Sequence, residues 1–104
     1  MSLLYSPEDH GLTLVGELDF SSGSYEFDYT AVWIDAEGNL KWADDSGCSC
    51  PSPFEDHTPE SLEHGPVDRL RDHLESRYRD QYGGYVTREA LERFMTTVTE
   101  ALRD

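Results

Sequence analysis

A chain of 104 residues with a formal net charge of −14 has material for one domain with a modest core. Its 37% hydrophobic and 12% aromatic residues exclude a disordered chain, and its acidity excludes a basic, phosphate-binding surface. No apolar run approaches the ~20 residues that span a bilayer. The opening "MSLLYSPEDHG" has no basic region and no long apolar run, so no secretory signal is expected there. A cytoplasmic setting with both thiols reduced is the expectation that follows.

In chain order, Ser6 and Pro7 suggest one short helical turn closed by Gly11. "LTLVGELDF" and "YEFDYTAVWID" then flank "SSGS", which signals a hairpin. Setting Phe20 against Tyr25 pairs Leu18 with Phe27, Gly16 with Tyr29, Leu14 with Ala31 and Leu12 with Trp33. That register places Leu12, Leu14, Leu18, Phe27, Tyr29 and Trp33 on one face, and also sets Glu17 against Asp28 and Asp19 against Glu26. A second hairpin, "WIDAEGNLKW", turns at Gly38 and pairs Asp35 with Asn39, Ile34 with Leu40 and Val32 with Trp42. The other face then carries Val15, Val32, Ile34, Leu40 and Trp42. It needs a cover, which a loop, a helix or a second copy of the chain would supply, so monomer and homodimer both stay open.

Residues 45–65 read as a long acidic connection rich in Ser, Pro and Cys, with a single helical turn from Thr58–Pro59–Glu60. Two helices follow. The first is opened by Pro66, stopped by Gly83–Gly84 and striped by Val67, Leu70, Leu74 and Tyr78. The second has Thr87 as N-cap, a staple of Val86 and Leu91, and a stripe of Leu91, Phe94, Met95, Val98 and Leu102. The expected fold is α+β in a single domain over 1–104. A three-stranded antiparallel meander (1–44) leads through the loop (45–65) to two antiparallel helices (66–104), which cover the Trp33 face.

The two cysteines, Cys48 and Cys50, stand in "DDSGCSCPSPFEDH". Three readings compete. They are small buried plugs, with Pro51 and Pro53 stiffening the exit and Phe54 anchoring it. Alternatively they bind zinc with His57 and His64, although structural zinc sites use longer Cys spacings and His10 and His73 lie farther off. A strained disulfide is the third. The first is adopted, so no cofactor is expected. Asp44, Asp45, Glu55, Asp56 and His57 form a candidate acid–base set. The chain shows no nucleophile elbow, phosphate loop, zinc-protease helix or dinucleotide fingerprint, and an enzyme is not expected.

The string "ADDSGCSCPSPFED", preceded by "Y.FD...VW.D..G.L.WA", resembles a group of small uncharacterised proteins encoded by phages of actinobacteria. The resemblance runs from about Tyr5 to Asp56 and is most specific between Asp45 and Glu55. It implies a phage origin, expression in a bacterial host's cytoplasm and no assigned catalytic residues. The motif it carries over is Asp45, Ser46, Gly47, Cys48, Ser49, Cys50, Pro51, Pro53, Phe54 and Glu55.

Charge supplies the functional expectation. Residues 1–65 hold 14 acids against one base, Lys41, whereas residues 66–104 hold 8 acids against 7 arginines. Glu17, Asp19, Glu26 and Asp28, extended by Asp44 and Asp45, would form an acidic surface for a basic protein partner, imitating nucleic-acid phosphates. A divalent cation such as Ca²⁺ or Mg²⁺ on the same carboxylates is the alternative use. The arginines, interleaved with acids at helical spacings such as Glu89–Arg93, read as a solvated face.

Overall fold

The tight turn between Asp35 and Asn39 sets half of the sheet. The computed structural model describes residues 11–20, 26–48, 59–81 and 86–103. In it β2 (Glu26–Asp35) and β3 (Leu40–Cys48) pair antiparallel, with Ile34 opposite Leu40 and Val32 opposite Trp42, as the sequence predicts. Asp35 makes the turn. Its Oδ1 accepts the backbone N–H groups of Glu37 at 3.0 Å and Asn39 at 2.8 Å, and Gly38 takes a φ of 85°, which side-chain-bearing residues rarely adopt.

β1 (Leu12–Asp19) departs from the expected register. Leu12 pairs with Asp35 and Leu14 with Trp33, two residues away from the expected partners. A bulge at Val15 then makes the pairs Gly16–Val32, Glu17–Ala31, Leu18–Thr30 and Asp19–Tyr29. One extra residue reverses the inside and outside of everything after it. Leu12 and Leu14 therefore join Trp33 on one face, while Leu18 and Phe20 cross to the other. Gly16 marks the spot. A Cβ there would lie 3.1 Å from the Phe94 ring, so a bare backbone lets the strand approach the helix layer.

The bulge also decides which face the helices cover. The face of Val32, Leu40 and Trp42 gains Phe20 and Leu18, and against it pack Leu70 and Leu74 of α1 (Val67–Asp80) with Leu91, Phe94, Met95 and Val98 of α2 (Arg88–Arg103). The expected placement over Trp33 is thus corrected. The patch of Val15, Val32, Ile34, Leu40 and Trp42 that invited a homodimer is roofed by the chain's own helices. The Trp33 face holds a second cluster of Leu12, Ala31, Trp33, Ala43 and Leu62, with Leu14 and Tyr29 at its margin.

Part of the expected loop is sheet. β3 continues through Asp45, Ser46, Gly47 and Cys48, because the N-terminal half of β2 needs a hydrogen-bonding partner there and pairing overrides the turn-like composition. Farther on, a 3₁₀ turn at Pro59–Ser61 matches the expected helical turn. Leu62 then enters the Trp33 cluster, and β4 (Glu63–His64) pairs with Trp42 and Lys41 as a fourth strand that the sequence did not signal. The sheet order is β1-β2-β3-β4, and the architecture is α+β.

Both helices start where their sequence signals place them; α1 ends at Asp80, and the expected stop at Gly83–Gly84 lies outside the described residues. Pro66 opens α1, and Thr87 Oγ1 accepts the Ala90 N–H at 3.0 Å to cap α2. Val86 and Leu91 are both buried at the staple positions. The connection is clamped by Gln81, whose side-chain amide exchanges hydrogen bonds of 2.6 and 2.8 Å with the backbone of Val86. Among the described residues no helix is long and apolar enough to cross a membrane.

Candidate functional site

Beyond the apolar part of the helix-covered face, Asp28 and Thr30 on β2 and Asp44 on β3 point the same way, since Thr30 and Asp44 are opposed in the register. α1 lays His73 and Arg77, one turn apart, over them. Arg77 Nη2 donates to Asp28 Oδ1, and Nη1 donates to Thr30 Oγ1 at 2.7 Å and lies 3.2 Å from Asp44 Oδ1. The Thr30 hydroxyl in turn donates a hydrogen bond to Asp44 Oδ1 at 2.5 Å, so a fully buried hydroxyl both accepts and donates. His73 Nε2 lies 2.9 and 3.0 Å from the two Asp44 oxygens and must be the donor, because an ionised carboxylate only accepts. The Phe20 ring closes the group from the side, with the Arg77 guanidinium carbon 4.4 Å from its centroid.

Burial pushes the Asp44 carboxyl up, but hydrogen bonds from His73 and Thr30 and the charge of Arg77 outweigh it and hold the group below its ordinary value of 3.8. A depressed carboxyl contributes stability above its unfolded value and loses that contribution as pH falls through the folded one. Wild type should therefore exceed Asp44→Asn in stability above about pH 4, and the margin should close below that. Urea midpoints from pH 7 to pH 2.5 check this. A margin that persists at the acid end would show that the carboxylate's charge is not what the cluster uses.

Chemically, this arrangement fastens a helix to a sheet. Its carboxylates, guanidinium and hydroxyl are matched to one another. A parallel system joins the helices, where Arg71 grips both oxygens of Glu92 at 3.2 and 3.0 Å and Arg88 meets Glu75 at 2.6 Å. The expectation of a solvated arginine face holds for Glu89–Arg93, but Arg71, Arg77 and Arg88 act between elements.

The sequence candidates are divided by the fold. Asp28 and Asp44 belong to the Arg77 cluster on the helix-covered face. Glu17 and Asp19 are exposed on β1 and, at register positions opposite Ala31 and Tyr29, share the Trp33 face with Asp45 across Tyr29. Glu26 is at the far end of β2, opposite Cys48. The expected facing of Glu17 with Asp28 and Asp19 with Glu26 does not occur, although the Asp28 backbone N–H does reach Asp19 Oδ1 at 3.3 Å. Of the motif, Asp45, Ser46, Gly47 and Cys48 are strand, while Ser49, Cys50, Pro51, Pro53, Phe54 and Glu55 lie outside the described residues, as do Asp56 and His57. The zinc set is split likewise, with His64 exposed on β4. Among the described residues no group of three or more His, Cys, Asp or Glu is arranged to hold a metal ion.

A family model described as a domain of unknown function, DUF7574, matches residues 1–104. The chain belongs to the DUF7574 family. No curated protein and no solved structure matches it. The match covers the sheet segment, the cysteine motif and both helices alike. The Arg77 cluster ties these parts together physically, because its acids come from the first half of the chain and its bases from the second.

Proposed function

We propose that the protein is a small phage-encoded interaction protein, working in the host cytoplasm, whose acidic sheet half binds a basic surface of a host protein and stands in for nucleic-acid phosphates there. One observation carries this reading: residues 1–65 hold 14 acids against one base, and helix arginines are engaged by helical acids. Among the described residues, Arg71, Arg88 and Arg93 pair with Glu92, Glu75 and Glu89, while Arg77 reaches into the sheet, to Asp28 and Asp44. Exposed Glu17, Asp19, Glu37, Glu60 and Glu63 add to an outward negative field with a single lysine to offset it. Such a field speeds encounter with a basic partner and is screened by salt. The likeness of the Asp45–Glu55 motif to phage proteins supports a host partner. The reading needs neither a cofactor nor a catalytic group.

The test is a pull-down from actinobacterial lysate with wild type and a Glu17→Gln, Asp19→Asn, Glu26→Gln, Asp45→Asn variant. Asp28 and Asp44 are spared because they hold α1 in place. A basic protein should be retained by wild type at low salt, released at about 0.5 M salt, and lost with the variant. Equal capture by both proteins, or capture indifferent to salt, would count against the reading.

A further inference from the structure

We propose that the cavity between the β2–β3 turn and β4 binds a small zwitterion of amino-acid size, its carboxylate against Lys41 and His64 and its ammonium against Glu37. The cavity measures about 430 Å³ and is lined by Asp35, Glu37, Asn39, Lys41, His64 and Gly65. That volume falls in the range of small-molecule sites. Lys41 is the chain's single lysine and the only Lys or Arg among residues 1–65. The sheet register sets it directly opposite His64, so the one basic spot of the acidic half faces a cavity. The opposite wall is negative, but its two carboxylates differ in role. Asp35 is engaged by the turn, accepting from the N–H groups of Glu37 and Asn39 and from Asn39 Nδ2 at 3.4 Å. Glu37, exposed at the turn, is left to receive a cation. A simple anion would meet Glu37 as a like charge and a simple cation would meet Lys41, whereas a molecule carrying both charges satisfies both walls. At the edge of the cavity Gly65 packs closely on α1 and the sheet: a Cβ there would lie 3.0 Å from Arg69 Cδ and 3.4 Å from the Trp42 ring.

Glu37 also adds to the negative field invoked above, but the test of this site shares no substituted residue with that one. Amide chemical shifts of the full chain are followed by NMR during titration with glycine, β-alanine and 4-aminobutanoate, which carry their two charges at increasing separation. Acetate and methylammonium serve as the half-ligands. At least one zwitterion should shift Asn39, Lys41 and His64 saturably with a Kd of about 1 mM or tighter, and each half-ligand should bind at least ~10-fold more weakly. Lys41→Gln should weaken the zwitterion ~10-fold, and Glu37→Gln should do the same while leaving acetate binding no weaker. Absence of saturable shifts, equal binding of a half-ligand, or indifference to both substitutions would overturn the proposal.

Discussion

Trp33→Ala is expected to lower the stability of the protein by about 3–5 kcal/mol, read as a fall in the urea midpoint at an unchanged slope. The indole is fully buried, and the side chains clustered with it include Ala31 and Ala43, which are too small to swing into the space it would vacate. Leu12 and Leu62 could close part of the cavity only if β1 or the segment before β4 shifted, but Leu12 is itself paired with Asp35 and Leu62 leads directly into the paired Glu63 and His64. The loss would therefore contain the transfer of the ring and most of the cavity term. Total stabilities of domains are about 5–15 kcal/mol, so this one truncation would consume a large part of the margin. Trp33→Phe, which keeps a ring in the site, should lose much less. A midpoint unmoved by Trp33→Ala would mean that the Leu12–Trp33–Leu62 cluster does not support the fold.

The ladder from Ile34 to Val32 was legible because a short turn with Asp and Gly at fixed places leaves one register for strands that each bury a face. Helix spans and stripes were legible for the same kind of reason: Pro66, Thr87 and the spacing of Leu70, Leu74, Leu91, Met95 and Val98 agree with one another. The β1–β2 register was not. Leu12, Leu14, Gly16, Leu18 and Phe20 form an unbroken alternation, and alternation cannot reveal an extra residue in the ladder. Its one visible signal was Gly16, a glycine inside a strand pattern, which commonly marks a bulge or a close backbone approach. Here it marks both, and missing it placed the helices on the wrong face. The Arg77 cluster was hidden for a different reason. An arginine one turn before an acid, as Arg77 is before Asp80, reads locally as a surface pair, and nothing in one-dimensional spacing shows that Asp28 and Asp44 lie across from it.

That cluster gives the second large effect. Arg77→Met keeps an aliphatic stem in the site but removes the guanidinium that lies over Phe20 and serves Asp28, Thr30 and Asp44. Two carboxylates would then face each other across the buried Thr30, with His73 as the cation-forming group beside Asp44 among the described residues. Removing one partner of a fully buried ion pair costs roughly 3–5 kcal/mol. The Arg77 side chain is 17% exposed, but Asp28 and Asp44 are each 39% exposed, so water would screen part of the uncompensated charge. A loss of about 2–3 kcal/mol is expected. Arg77→Lys should recover only a fraction of it, because one ammonium lacks the planar fork that reaches Asp28 with one nitrogen and Thr30 and Asp44 with the other. Adding Asp28→Asn to Arg77→Met should restore part of the loss by relieving the repulsion, so the double variant should be less destabilised than the sum of the singles. Urea midpoints of the four variants at neutral pH decide it. If Arg77→Lys equals wild type, the guanidinium geometry is irrelevant. Strict additivity of Arg77→Met and Asp28→Asn would mean that the two groups do not interact.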